Sequence, residues 1–499
     1  MTSHTSSPVI LWFRSDLRLQ DHPGVAEALQ RGAPILPVFI WDEALGTRPL
    51  GAASRWWLQR SLQALDEDLR RRESRLIVLT GDATITLSHL AREYDVKTIH
   101  CSRTFDPVIE DFDCELFAHL GDQHIALKRH NATLLAEPTR LKTKSDTSFK
   151  VFTPFARAMV DAGFAAVDKL PAHSTRAWPR PAYWPKSLKI KDLQLSDTRT
   201  RSGHDWAAGF DVFTPGEHAA QTALRHFIDH GLADYANGRD RPDLDATSRL
   251  SPHLRFGEIS PQRVLHDVDT AARRDPRLQA GADKFRNELI WRDFSYNLLH
   301  QQPRLDHVNF RREFDDFPWR DDDKGFRAWT RGETGFPLVD AGMRQLWQTG
   351  WMHNRVRMVA ASFLVKHLLI DWRRGEQWFW DCLVDADPAN NTAQWQWVAG
   401  SGADAAPFFR IFNPITQAEK FDPDGAYRTK FIPGYTHPTG KTAHRRNQDD
   451  LFDSAGKGVE NTTYPQSPIV AHDMARQRAL DAFKDMRNHR SDDHDDDAD

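Results

Sequence analysis

Apolar runs of four to seven residues recur through the first 130 positions, at Val9–Phe13, Ile35–Trp41, Leu76–Thr80, Thr98–Cys101 and His124–Leu127. Amphipathic stretches such as Ala52–Arg72 lie between them. Short apolar runs alternating with helical patterns predict an α/β unit built on a doubly wound parallel sheet. The turn after the first run reads Arg14-Ser15-Asp16-Leu17-Arg18 and has no GxGxxG, so the fingerprint that cradles a dinucleotide phosphate is missing from this half. From 136 to 204 Pro, Lys, Ser and Thr are frequent and periodicity is poor, which reads as a linker wrapped over the surface. From about Pro215 the pattern turns helical. Leu224, Phe227, Ile228 and Leu232, and again Leu338, Met343, Leu346 and Trp347, keep the spacing of one buried helix face. The expected division is an α/β domain over 1–135, a linker over 136–204, an all-α domain over 205–485 and an acidic, disordered tail over 486–499.

The chain has 499 residues, enough for two or three domains with a sizeable core. Its composition departs from the ordinary in its 17 Trp. Each Trp needs a packed site and a partner for its N–H, so an excess suggests aromatic stacking, electron transfer, or carbohydrate or base recognition. The net charge is −4, and without the six Asp of residues 492–499 it becomes +2. Such an acidic run reads as a solvated tail. Cys101, Cys114 and Cys382 have no CxxC spacing and read as reduced, buried thiols of a cytoplasmic protein. Met1–Pro8 lacks a signal-peptide core, and the longest apolar stretch, Met358–Ile370, is interrupted by Lys366 and His367, so no membrane span is expected. No metal site is expected.

The chemistry concentrates in the helical half. Thr247-Ser248-Arg249-Leu250-Ser251 before Pro252 offers hydroxyl, backbone and guanidinium donors to a phosphate, or else a capped helix start. Glu288, Trp291, Arg292 and Ser295 fall at i, i+3, i+4 and i+7 and share one helix face. They make either a base-recognition surface or a plain surface helix with an ion pair. Asn354, Arg357 and Met358 share another face. Arg355 and Arg357 in apolar surroundings require carboxylate or phosphate partners. Asp387 before Pro388 suits a helix cap, leaving Asp385 for a ribose hydroxyl or Arg357. The helix that follows carries Asn390-Asn391 and then Trp395 and Trp397. Those two indoles, two residues apart, lie about 200° apart around a helix and face opposite sides.

The ordered set TSRLSPHL (247–254), ELIWRDF (288–294), GWMHNRVRM (350–358), LLIDWRRGE (368–376) and DADPANNTAQWQW (385–397), running into PFFRIFNP (407–414), resembles the DNA photolyase/cryptochrome family along nearly the whole chain. Within it the chain looks most like bacterial cyclobutane pyrimidine dimer photolyases. The wording of WWLQRSL (56–62) and WVAGSGADAAPFFR (397–410) looks closest to class III. The resemblance implies an α/β domain joined to a helical FAD domain and a light-driven reaction. In that reaction excited, reduced FAD lends an electron to a dimer flipped out of damaged DNA, and the cyclobutane ring splits.

The resemblance also implies roles, motif by motif. Tyr235, Thr247, Ser248, Arg249, Leu250 and Ser251 would hold the phosphates and ribityl chain of FAD. Asn354, Arg357, Asp385 and Asp387 would line its pocket, and Asn391 would face flavin N5. Photolyases carry Asn at this last position, whereas plant cryptochromes carry Asp. Glu288, Trp291, Met358 and Trp397 would receive the dimer. Arg239 and Gln417, with Asn354, would contact DNA. Trp395, Trp372 and Trp319 would carry electrons inward from the surface. A 5,10-methenyltetrahydrofolate antenna is expected from the class III likeness, without assigned residues, since Phe105–Glu110 lacks the Asn-Glu pair of one folate-binding mode. The protein is expected to be a monomer. The rival reading is a cryptochrome-type blue-light photoreceptor that signals rather than repairs.

Overall fold

The structure is a computed structural model describing residues 7–495, apart from 47, 165–166, 168–169, 171–175, 199–204, 405–408, 437–463 and 466. The last residues of the expected tail, 496–499, and part of the class III wording, 405–408, lie outside the described residues.

The apolar runs form β1 (Val9–Phe13), β2 (Ile35–Trp41), β3 (Ile77–Thr80), β4 (Thr98–Ser102) and β5 (Ala126–His130). All pair in parallel, in the order β3-β2-β1-β4-β5. β1, at the centre, sets the register, with Val9 beside both Ile35 and Thr98. Helices α1 (Pro23–Gln30), α2 (Ala52–Arg70), α3 (Ala83–Glu93) and α4 (Pro107–Asp122) cover the two faces. Both faces of β1 are therefore buried, which is why its sequence is continuously apolar rather than alternating. The fifth strand starts two residues later than the apolar run predicts. His124 takes a left-handed φ of 57°, and the Ile125 N–H returns to Leu120 O, so both residues are spent ending α4.

The stretch expected to be a featureless linker contains α5 (Phe152–Asp161). Its Phe155 and Met159 are buried against the helical half, and Phe155 meets Phe294 at 5.3 Å. The helical half then runs through α6 (Glu217–His230), α7 (Tyr235–Gly238), α8 (Ser251–Arg255), α9 (Pro261–Arg274), α10 (Gln279–Gln301), α11 (Asp323–Arg331), α12 (Pro337–Thr349) and α13 (Asn354–Ser362). α13 continues as a π-helical turn, Phe363–His367. Next come α14 (Trp372–Cys382), α15 (Asn390–Ala399), α16 (Pro414–Phe421) and α17 (Ala426–Phe431). A C-terminal helix, His472–Asp495, occupies much of the span expected to be a disordered tail.

Leu224, Phe227, Leu232, Leu338, Met343 and Leu346 are buried as their spacing predicts. Trp347 is not: it is 55% exposed and stacks on Trp378. The cysteines are free, but Cys114 is exposed on α4 rather than buried. No helix among the described residues is long and apolar enough to cross a membrane.

Backbone contact locks the two halves together. Gly257 has φ +63°, and a Cβ there would lie 2.3 Å from Ser15 O, so only glycine fits. Buried Arg18 donates to Gly257 O and Ala132 O. Glu217 accepts from the Leu19 and Gln20 N–H groups, and burial raises its pKa to about 7.

Candidate active site

α7, α8, α10, α13 and α15 converge on a cavity of about 690 Å³. That lies within the range, roughly 300–1,000 Å³, of pockets that take a cofactor or small ligand. Its walls include Tyr235, Ser248, Leu250, Ser251, Asn354, Arg357, Asp385, Asp387 and Asn391, together with Arg239, Glu288, Trp291, Met358, Trp395 and Trp397. Sequence separations of more than 150 residues thus collapse into one chamber. Thr247 and Arg249 do not line it. Arg249 is exposed, has φ 51°, pairs with Asp245 at 3.1 Å and lies over the Trp351 ring. Gln417 sits on α16, also away from the cavity wall.

The capping expectation holds in detail at Asp387. Its Oδ1 accepts from the Ala389 and Asn390 N–H groups and from the Asn390 side chain, and its Oδ2 accepts from Tyr296 at 2.8 Å. Asp385 is left for other work. Arg357 donates to its Oδ2 at 2.8 Å, while Oδ1 is buried without a partner. A buried carboxylate oxygen without a donor costs about 1–3 kcal/mol, so this atom calls for a hydroxyl-bearing ligand. The second cation of the motif, Arg355, finds Asp240 at 2.7 Å.

Asn391 is oriented by a residue outside the predicted set. Its amide N–H₂ donates to Glu376 Oε1 at 2.7 Å and Glu376 O at 3.1 Å. The carbonyl oxygen is thereby left as its free acceptor. Glu376, 2% exposed, also accepts from Thr392 and is ion-paired with Arg48 of the α/β half. Glu376 closes the quoted motif LLIDWRRGE, so its position was legible and its role was not.

The two indoles of α15 diverge as a helix requires. Trp395 is 3% exposed and meets Phe379 at 5.0 Å and Trp329 at 6.1 Å. Trp397 is only half-buried on the open side. Trp291 carries a neighbour that no periodicity suggested. Phe152 of α5 stacks on it with centroids 3.7 Å apart and planes 4° apart. Phe152 therefore covers one face of that indole and fixes its tilt. Glu288 is ion-paired with Arg239, and Lys284 lies 3.8 Å from the same carboxylate. Burial would lower the Arg239 pKa, but the hydrogen bond and charge of Glu288 raise it.

Trp372 and Trp319 lie outside the cavity. Trp372 is fully buried at the start of α14, its N–H donating to Asn309 at 2.9 Å. One turn on, a Cβ at Gly375 would fall 2.2 Å from the Trp395 ring, so α14 carries Trp372 and cradles Trp395. Trp319 is partly buried and meets Phe317 at 4.4 Å, and the adjacent Arg320 N–H bonds Leu369 O near the base of α14.

A parallel-sheet domain docked on a helical bundle, with a polar and aromatic chamber that opens to solvent on one side of the bundle, defines a two-domain protein built to hold a cofactor. Residues 9–174 match the family model for DNA photolyase, and residues 285–485 match that for the FAD binding domain of DNA photolyase. The chain is 48% identical to a deoxyribodipyrimidine photo-lyase of Agrobacterium fabrum, over 96% of this chain and 98% of that one. It is 33% identical to cryptochrome-1 of Sinapis alba, over 97% of each. A solved bacterial class III photolyase from Agrobacterium tumefaciens superposes with TM-score 0.87 and 46% identity, covering 98% of this chain and 100% of that one. The chain belongs to the DNA photolyase/cryptochrome family.

Proposed function

We propose that the protein is a deoxyribodipyrimidine photo-lyase, using light to split cyclobutane pyrimidine dimers in DNA. The observation that carries this reading is the convergence of Glu288, Trp291, Met358, Asn391 and Trp397 on one cavity. The donor set fits FAD. Asp385 Oδ1 is an acceptor waiting for a hydroxyl, Ser248 and Ser251 offer donors, and Arg357 supplies charge. When bound, FAD supplies light-driven electron transfer to the lesion.

The protein's own part is positioning. Glu376 turns the Asn391 carbonyl toward the chamber, where it can accept an N–H of a reduced flavin. Trp291, backed by Phe152, and Trp397 offer flat faces to a flipped dimer, and base–aromatic stacking contributes roughly 1–3 kcal/mol per base. Flipping a damaged pair costs a few kcal/mol, so such stacking offsets much of it. Arg239 holds Glu288 in the free protein, and its transfer to a DNA phosphate would release the carboxylate to the dimer. Trp395, Trp372 and Trp319 form the route that returns the cofactor to its reduced state.

A second crevice, of about 260 Å³, lies at the carboxyl ends of β1 and β2 where the two halves meet. Trp41 and Trp380 line it, with Arg48 lying 3.6 Å over the Trp380 ring, and Arg55 and Arg255 offer positive charge. These features suit a methenyltetrahydrofolate antenna. The protein acts as a monomer in the cytoplasm.

The test is light-dependent recovery of ultraviolet absorbance when the reduced, FAD-loaded protein meets a dimer-bearing oligonucleotide. Recovery in light and none in darkness is expected. A flavin-loaded protein that binds no damaged DNA and restores none would return the chain to the photoreceptor reading.

A further inference from the structure

One face of Trp291 is turned to the cavity and the other is covered. Trp291 lines the cavity and Phe152 does not, so the ring stacked on it, 3.7 Å away and 4° from parallel, lies on the far face. Phe294 closes an edge, its centroid 5.7 Å from Trp291 and 5.9 Å from Phe152. An indole held on one face and one edge keeps a single tilt, whereas a half-buried Trp without such neighbours is free to rock.

Phe152 is the first residue of α5, and α5 cannot fix its own start. Its N-cap is Val151, whose side chain has no acceptor, so the Phe152 N–H has no partner within its own segment. The partner comes from 252 residues away: Asp404 Oδ2 accepts that N–H at 3.2 Å. A carboxylate at a helix N-terminus is also favoured by the helix dipole. Asp404 holds a left-handed φ of 52°, which costs a residue other than glycine free energy and persists only where its surroundings impose it. Burial raises the Asp404 pKa, and the Phe152 N–H opposes that rise.

Those surroundings are the turn that carries Trp397. The Gly400 and Gly402 N–H groups both return to Gln396 O, at 2.9 and 3.0 Å. A Cβ at Gly402 would lie 2.9 Å from the Trp397 N, so this loop is pressed against the end of α15. Gln396 is anchored in turn, its side chain donating to Leu305 O and Val308 O. A continuous path of contact therefore runs from Trp291 through Phe152, Asp404 and Gly402 to Trp397. The two indoles line one cavity from two helices, α10 and α15, and this path ties them together behind the wall. A ring that only filled space would need no such tie.

We propose that Phe152 and Asp404 are positioning residues of the lesion site, which together fix the tilt of Trp291 and its spacing from Trp397. Two pyrimidines joined by two bonds are thicker than one base, so the width of the slot between the indoles decides what enters it. The inference rests on the repair reading. It makes the segment between the two halves of the chain part of the selectivity of the site, acting through Trp291 without touching lesion or cofactor.

The experiment measures, on the full FAD-loaded chain, affinity for a dimer-bearing duplex and for the same duplex undamaged. F152L keeps apolar bulk and removes the flat face. It should weaken binding of the damaged duplex by about two- to tenfold, the range set by one stacked aromatic pair, and leave the undamaged duplex as in wild type. F152Y keeps the ring and should bind as wild type does. D404G keeps the left-handed backbone but removes the acceptor, so it should reproduce F152L, while D404N keeps an acceptor and should restore affinity. Two further variants separate positioning from stability. F155L, on the same helix, should lower the denaturation midpoint without changing affinity for the damaged duplex. In a W291A background F152L should cause no further loss, because its effect passes through that indole. Equal affinity in F152L and wild type, an equal loss in F155L, or a full further loss in the W291A background would overturn the proposal. A wild-type protein that neither prefers the damaged duplex nor splits its dimer in light would instead overturn the repair reading, and this inference with it.

Discussion

Glu376 shows how a buried charge is held and then used. Its carboxylate meets Arg48, Thr392 and Asn391 at once, so its oxygens are satisfied although only 2% of the residue is exposed. Removing one partner of a buried pair costs about 3–5 kcal/mol, and Arg48 keeps 20% of its side-chain exposure, which places Glu376→Ala toward the lower end. The expected result is a lowered denaturation midpoint, with a smaller further loss on adding Arg48→Ala, read by a double-mutant cycle. Purely additive losses would show that the two side chains do not depend on each other. Glu288 is the contrasting residue, since its carboxylate lies at the rim with Arg239 and Lys284. Glu288→Ala should retain flavin absorbance but lower the quantum yield of dimer splitting severalfold. An unchanged yield would remove Glu288 from the reaction.

At the scale of elements, α13 depends on a histidine that must stay neutral. The His353 Nδ1 accepts the Arg355 N–H at 3.2 Å and so caps the helix that carries Asn354, Arg357 and Met358. Burial lowers its pKa to about 4, against a partial opposing pull from Asp240. A depressed histidine contributes stability that is present above its unfolded value near 6.5 and lost as pH falls through 4. Acidification over that window should therefore lower the denaturation midpoint and loosen flavin. His353→Asn keeps a capping oxygen without the titration, and its midpoint should be flatter over the same window. Equal slopes would assign the loss to other groups.

Element type was legible wherever burial imposed a period. β1 to β4 fall on or within a residue or so of their apolar runs, and α15 starts at Asn390, two residues after Pro388, with Asp387 accepting from its first N–H. Legibility failed where a second surface supplied the burial. α5 lies in a Pro- and Lys-rich stretch, and its Phe155 gains its place against Phe294 and Phe149. Trp347 kept a core period yet found Trp378 on the surface. The site residues were legible as motifs, but Phe152 had no motif and Glu376 needed the fold to bring it beneath Asn391.

Across the whole molecule, the tryptophans change environment from inside to out. Trp395 is 3% exposed beside the cavity, Trp372 is 0% exposed behind it, and Trp319 is partly exposed where the C-terminal helix packs. This series sets oxidisable indoles between the chamber and the surface, beside the Trp329 and Phe379 rings that also touch Trp395. Trp372 is the member whose loss can be read cleanly. Phenylalanine fills most of the space but is far harder to oxidise, and it leaves Asn309 Oδ1 without the indole donor. A structural cost of about 1–3 kcal/mol follows from that orphaned acceptor, and it should appear as a modest fall in denaturation midpoint. The functional effect should be separate. Trp372→Phe should strongly slow photoreduction of the oxidised flavin in the presence of reductant. Dimer splitting should stay near wild type once the flavin has been reduced chemically, because Trp372 is not on the wall that receives the lesion. Photoreduction at the original rate would mean that electrons enter elsewhere. The ring contacts of Trp395 with Trp329 and Phe379 would then be the first place to look for the other entry.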